Sequence, residues 1–345
     1  MDKRRTTNML LLAIVIPIIF YLLKILSFIF IPLVFSMFIA LLFLPLMRWF
    51  NKRKFPKFIS ITIILLIIGA ILTIIGELVQ LSSKQILSND NMFFIKAEDK
   101  IVNLIASIQE FFGIKPKNEG IQLNQFLPKD MFIKNFGSTL GFITNLLTTI
   151  LMTAFFVVLW LGESINMQKL LNHTILKQKY SSVKAFGKIE KDLIKFIKVK
   201  FLMSLFTGIG IGLACLFFDV SFPIFWGLFA FVINFVQMVG SFVSVILLSI
   251  FAFVELDPTG VLLFFILTIT GVQILFGAIL EPIFMGKSFS INIIAVLVML
   301  MFWGFLWGVP GLIMAIPITV FLKIILDQFP NTKVIASLIS GSGLK

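Results

Sequence analysis

Apolar residues run almost without interruption through residues 9–23, 25–47, 58–76, 136–161, 201–218, 222–254, 259–280 and 290–326, with short polar segments between. A helix on the surface of a soluble domain keeps one apolar stripe. These stretches are apolar on every face, over lengths near the roughly 20 residues that cross a bilayer's hydrocarbon. Two of them are interrupted. Stretch 222–254 is too long for one ordinary crossing and too short for two, and it carries Asn234, Gln237, Gly240 and Ser241 near its middle. Stretch 290–326 contains Gly308, Val309, Pro310 and Gly311 in succession. Irregular backbone at membrane depth survives only where protein or a water-filled cavity satisfies the freed polar groups. The pattern therefore predicts an all-α, polytopic integral membrane protein. It has about eight membrane elements, two of them broken or re-entrant, plus amphipathic interfacial helices.

The polar connectors carry helical periodicity. Between the third and fourth crossings, Ile101, Leu104, Ile105, Ile108, Phe111 and Phe112 mark one apolar face. In the next connector Lys184, Lys188, Lys191, Lys195 and Lys198 recur at spacings of 4, 3, 4 and 3. They form one basic stripe beside Val183, Phe186, Ile189, Leu193 and Phe196. Such a helix suits an anionic membrane surface, while a solvated face over a subunit contact is the alternative. The expected organisation is helices one to three in 1–79, an extracytoplasmic polar segment in 80–135 and a fourth helix in 136–162. A cytoplasmic basic connector in 163–200, a transport core in 201–329 and a cytoplasmic tail in 330–345 follow.

Composition agrees: 59% of the 345 residues are hydrophobic and 13% charged, far from a soluble balance. The net charge of +13 raises the question of nucleic acid, but its distribution answers it. Basic clusters at 3–5, 48–57 and 169–200 contrast with the loop holding Glu255 and Asp257, which lacks positive charge. That is an orientation bias, with the clusters and both termini cytoplasmic, and no nucleic-acid partner is expected. Lys3, Arg4 and Arg5 precede an apolar run as in a signal peptide. No small-residue cleavage site follows, so a retained first crossing is expected. A lone Cys215 excludes a disulfide framework.

Catalytic motifs are absent. Gly286, Lys287 and Ser288 resemble the end of a phosphate-binding loop, but Glu281 stands where that motif needs glycine. His173 is the only histidine. No metal site, cofactor or enzyme activity is expected, and transport would run on an ion gradient or downhill. Glu281 is the foremost candidate for chemistry. A carboxylate at the end of an apolar run can exchange protons or cations, and Pro282 beside it frees a backbone carbonyl. The alternative is an interfacial helix end paired with Lys287. Asn234 and Gln237, one turn apart, and Gln273 suit hydrogen bonding to a polar solute, or serve as glue between helices. Trp303 and Trp307 share a face, with membrane-interface anchoring as their default role and gating as a further one. Gly304, Gly308 and Gly311 fit close packing and a tight turn. Phe-Trp-Gly occurs at 225–227 and again at 302–304, which hints at an internal repeat.

The run from Glu281 through Ser288, followed by Phe302 through Pro317, resembles the C-terminal signature of the autoinducer-2 exporter family of bacterial permease-like proteins. The similarity extends over nearly the whole chain. Glu281, Pro282, Gly286, Lys287, Trp303, Gly304, Trp307, Gly308, Pro310, Gly311 and Pro317 match the family pattern. The resemblance implies an inner-membrane secondary transporter that forms homo-oligomers, pentamers among them. It associates members with autoinducer-2 export or with sodium–proton antiport. Two positions depart from the pattern: Gln237 and Ile293 each replace a usual proline, which predicts straighter or stiffer elements there. Three readings follow. The first is export of a small polar solute of the autoinducer-2 kind, using Asn234, Gln237, Gly240 and Gln273 beside broken helices. The second is sodium or lithium antiport through Glu281 with Asp219 or Asp257. The third is a scaffold that does not transport and binds anionic lipid or partners through its basic stripe.

Overall fold

The computed structural model describes residues 3–88, 100, 149–163, 180–236, 239–256, 260–286, 291–328 and 332–340. Helix dominates, and no strand occurs among the described residues. Five of these helices are long and apolar enough to cross a membrane: Ser27–Lys52, Lys57–Leu81, Gly187–Phe217, Gly260–Met285 and Ile293–Asp327. Large apolar side chains such as Phe217, Met301 and Phe305 stand exposed on them. An outer surface of that kind is stable against lipid and not against water.

Helices α1 (Lys3–Ile25) and α2 (Ser27–Lys52) are joined through Leu26 alone. A turn through Lys54, whose φ is 61°, leads to α3 (Lys57–Ser88). Helix α4 (Thr149–Glu163) packs Val157 and Leu161 against Met47 of α2 and Ile64 of α3. The apolar face expected around Ile101–Phe112 lies outside the described residues, as does His173.

Helix α5 (Tyr180–Phe217) is the longest described, at 38 residues. Its length of about 57 Å far exceeds the roughly 30 Å of hydrocarbon it would cross. The boundary expected between residues 200 and 201 falls inside it, so the lysine-rich connector and the following crossing form one continuous rod. Lys188, Lys191, Lys195 and Lys198 are exposed on this rod, opposite the buried Leu193, Phe196 and Ile197. Arg48 at the end of α2 pairs with Glu190 and ties the rod to the N-terminal helices.

Past Asp219 the chain reverses into α6 (Pro223–Ile233), and the Ser221 N–H donates to the Glu255 carboxylate at 2.6 Å. The two helices then touch backbone to backbone. A Cβ on Gly208 would lie 2.7 Å from the Gly227 carbonyl oxygen, and one on Gly227 would lie 2.9 Å from the Gly208 oxygen. Small residues permit this approach between apolar helices, where lipid supplies no hydrophobic drive.

The first interrupted stretch is a helical hairpin. Helix α6 ends at Ile233, a turn follows through Asn234 and Val236, and α7 (Val239–Glu255) begins. Gly240 crosses the end of α6 so closely that a Cβ there would sit 1.9 Å from the Ile233 oxygen. The straightening expected from the missing proline at 237 does not occur. The chain still breaks, because the glycine crossing and the turn do the work (Gln237 itself lies outside the described residues).

The next helix, α8 (Gly260–Met285), changes winding along its length. It is α-helical to Gln273, π-helical over Ile274–Leu280 and α-helical again from Glu281. The second interrupted stretch, α9 (Ile293–Gln328), also doubles back. Gly308 bends it with φ 63° and ψ −139°. A Cβ on Gly311 would lie 1.9 Å from the Trp303 oxygen, and one on Gly304 would lie 2.8 Å from Leu312. Residues eight apart in a straight helix would be separated by about 12 Å. Helix α10 (Lys333–Ser340) closes onto the start of α9, where the Asn292 N–H donates to the Ile339 carbonyl.

Besides the cluster that α4 completes, two apolar clusters lie on either side of a polar layer. One joins α2, the first half of α5 and α9 through Phe38, Phe196, Trp303 and Ile316. The other joins the second half of α5 to α6, α7 and α8 through Ile211, Trp226, Leu248 and Phe265. Along α5, Phe196 belongs to the first and Ile211 to the second; along α8, Ile269 belongs to the second and Met285 to the first. Between them lie Lys200, Gln273 and Glu281.

Candidate functional site

Lys200 follows Leu193 by seven residues, two helical turns, so it shares the buried face of α5 rather than the basic stripe. Its ammonium donates to Glu281 Oε1 at 3.0 Å and to Oε2 at 3.1 Å. Both side chains are only 2% exposed. Each charge would be costly alone in this setting, and the pair with its two charge-assisted hydrogen bonds makes the burial tolerable. Glu281 is therefore an interior residue held by Lys200, not the interfacial helix end paired with Lys287 that the sequence allowed. Lys287 lies outside the described residues.

Beside the pair is a cavity of about 410 Å³. Its polar lining comes from Lys200, Asn234, Ser241, Thr270, Gln273 and Glu281, and its apolar lining from Phe242, Val245 and Ile274. Each polar side chain arrives by a different route. The amide of Asn234, at the turn of the first hairpin, donates to Ser204 Oγ at 3.2 Å, one turn along α5 from Lys200. The Gln273 amide nitrogen donates to Ser244 Oγ at 2.7 Å, and Ser244 donates its own proton to the Ser241 carbonyl at 3.0 Å. With that hydroxyl proton committed, Ser244 must accept from Gln273. This fixes the amide orientation and leaves Gln273 Oε1 buried without a protein partner. An unpaired buried acceptor costs on the order of 1–3 kcal/mol, and Gln273 is one of the residues that line the cavity.

The π segment explains how Gln273 and Glu281 share this wall. Eight α-helical residues would turn them about 80° apart, and the wider winding changes that offset. π-Turns concentrate at functional sites for this reason. The Glu281 N–H bonds Phe276 O in the i−5 register. Pro282 has no N–H to give the next acceptor in that register, the Gly277 carbonyl, and Gly277 and Ala278 line the cavity. The Pro282 ring itself faces away and is exposed.

The structure thus gathers Asn234, Gln273 and Glu281 and adds Lys200. Gly240 shapes the hairpin but does not line the cavity. Gly286, with φ 79°, ends α8 close to Lys195. Trp303, Gly304, Trp307, Gly308, Pro310 and Gly311 belong to the second hairpin, away from the cavity lining. Trp303 and Trp307 are 8% and 7% exposed with rings 4.9 Å apart. Trp307 Nε1 donates to the Leu23 carbonyl at 3.0 Å. They pack α9 against the apolar interior and α1, which replaces the interface anchoring expected from sequence. Asp219 is exposed beyond the end of α5, about 26 Å of helix from Lys200, and takes no part in the site. Asp257 and Gln237 lie outside the described residues, as does the side chain of Lys184.

A multi-pass helical chain with two doubled-back elements and a polar cavity around a buried charge pair has the build of a membrane transport protein. The chain belongs to the AI-2E transporter family, whose model matches residues 10–331. It is 23% identical over 322 residues to the AI-2 transport protein TqsA of Escherichia coli K12, covering 90% of this chain and 89% of that one. It is 26% identical over 318 residues to a Haemophilus influenzae protein named "Putative transport protein", covering 90% and 89%. A like-named Borreliella burgdorferi protein is 30% identical over 198 residues, 56% of this chain and 55% of that one. These relatives carry the names of transport proteins, not of enzymes, and they come from bacteria.

Proposed function

We propose that the protein is a secondary transporter that exports a small, neutral, polar solute of the autoinducer-2 kind across the bacterial inner membrane. The solute binds in the cavity beside Lys200 and Glu281. The observation that carries this reading is the cavity itself, which gathers Asn234, Ser241, Thr270 and Gln273 beside the mutually neutralised Lys200–Glu281 pair. The volume of about 410 Å³ suits a small molecule, and the TqsA relative is named for transport of this signal. The α6–α7 pair and the two limbs of α9 act as re-entrant hairpins, bringing the membrane elements to about eight, with both termini cytoplasmic. The basic stripe on α5 docks on anionic lipid, and the chain works as a homo-oligomer, with a pentamer as the expected assembly.

Purified protein in sealed proteoliposomes tests this. Autoinducer-2 flux is expected in the wild type, lost in Gln273→Leu and indifferent to sodium. The antiport reading rests on the burial of Glu281 in the same cavity. It predicts instead a pH change on adding sodium or lithium that Glu281→Gln abolishes. A scaffold would show neither flux, and Gly308→Leu would leave its function intact.

A further inference from the structure

We propose that Lys200 is the specificity-determining residue of this cavity: its ammonium occupies a latent monovalent-cation site and so reserves the cavity for uncharged solutes. The inference rests on the cavity being the solute site and assigns what decides between the neutral and cationic readings. Without Lys200, the wall holds hard oxygen donors. Both Glu281 oxygens point at the ammonium, 3.0 and 3.1 Å away. Gln273 Oε1 is buried and unpaired. Pro282 has no N–H to offer the Gly277 carbonyl in the π register, and Gly277, Ser241 and Thr270 are lining residues. A carboxylate, an amide oxygen, a main-chain carbonyl and hydroxyls are the ligands of choice for small hard cations. The tethered ammonium satisfies the carboxylate in place of such an ion. It also repels a second cation at close range, so selectivity here comes from an occupied position as well as from attraction.

The experiment is equilibrium binding of radiosodium to purified full-length protein. Wild type is expected to bind none above background. Lys200→Met is expected to bind at least about tenfold more than wild type, displaced by lithium and not by choline. Lys200→Met/Glu281→Gln, which removes both charges, is expected to bind none. Equal binding by wild type and Lys200→Met would overturn the proposal, as would a folded Lys200→Met that binds nothing. Lys200→Gln is the second variant should the methionine fail to fold. If neither can be recovered folded in sodium while the double variant can, a cation does not replace the ammonium and the proposal falls. Solute flux by the wild type is a separate readout, so loss of the export reading would show independently of sodium binding by the variants.

Discussion

Removing one member of the Lys200–Glu281 pair should destabilise the protein far more than removing both. The two side chains are 2% exposed and joined by two hydrogen bonds. Breaking a buried pair by one partner costs about 3–5 kcal/mol, whereas replacing both with uncharged side chains is often near neutral. At about 2.1 cal/mol/K per residue, 345 residues unfold with an entropy on the order of 0.7 kcal/mol/K. Lys200→Met and Glu281→Gln should therefore each lower the melting temperature by about 4–7 °C. The double variant should recover most of that loss. The chain carries its own probe: its single cysteine, Cys215, is buried at 0% exposure in the second apolar cluster. A thiol-reactive fluorophore reports unfolding in detergent without labels or added cysteines. A single variant that melts like wild type, or a double variant as unstable as the worse single, would refute the claim that these charges neutralise each other in the interior.

Gln273→Leu should reduce solute flux at least about tenfold while thermal stability stays near wild type, since it removes an unpaired acceptor along with one hydrogen bond; a flux assay paired with the Cys215 melt checks both halves. Gly311→Ala should destabilise more than Gly308→Ala. The first places a Cβ 1.9 Å from the Trp303 oxygen, while the second meets nothing within 4 Å and bears only backbone strain of about 1–3 kcal/mol; ranking their melting temperatures tests the hairpin. Replacing Lys188, Lys191, Lys195 and Lys198 by glutamine should strip anionic lipid from the purified protein, at about 1 kcal/mol per lysine, as read by native mass spectrometry.

Glu281 was legible because a carboxylate followed by proline inside an apolar run violates the usual pattern. The two hairpins were legible as interruptions, with doubling back among the readings the pattern allowed; the close crossings that form them were not. A glycine that crosses a neighbouring carbonyl reads in sequence like any other glycine. Lys200 was missed for a positional reason. It ends a lysine-rich stretch and reads as part of the basic connector, yet it is two residues from Lys198 and thus about 200° around the helix. Its register with Leu193 was the signal available: a cation in the apolar phase of an amphipathic helix. The π segment left no mark in composition, since Ile274–Leu280 is apolar in either winding. The tryptophans misled because aromatic pairs in membrane sequences default to the interface. Only the fold-back of α9 turns them inward.

The unbroken run of α5 has a mechanical consequence. Lys200 lies near its middle, with about 30 Å of helix on the side of Tyr180 and about 26 Å on the side of Phe217. The ion pair to Glu281 fastens the helix at that point, between the Arg48–Glu190 pair on one limb and the Gly208–Gly227 contact on the other. The exposed lysines lie along the limb toward Tyr180; the other limb leads to the loop that Ser221 fastens to Glu255. Held at three points, the unbroken helix couples its two limbs, so a load on the lysine face is carried past the charge pair to the Ser221–Glu255 loop.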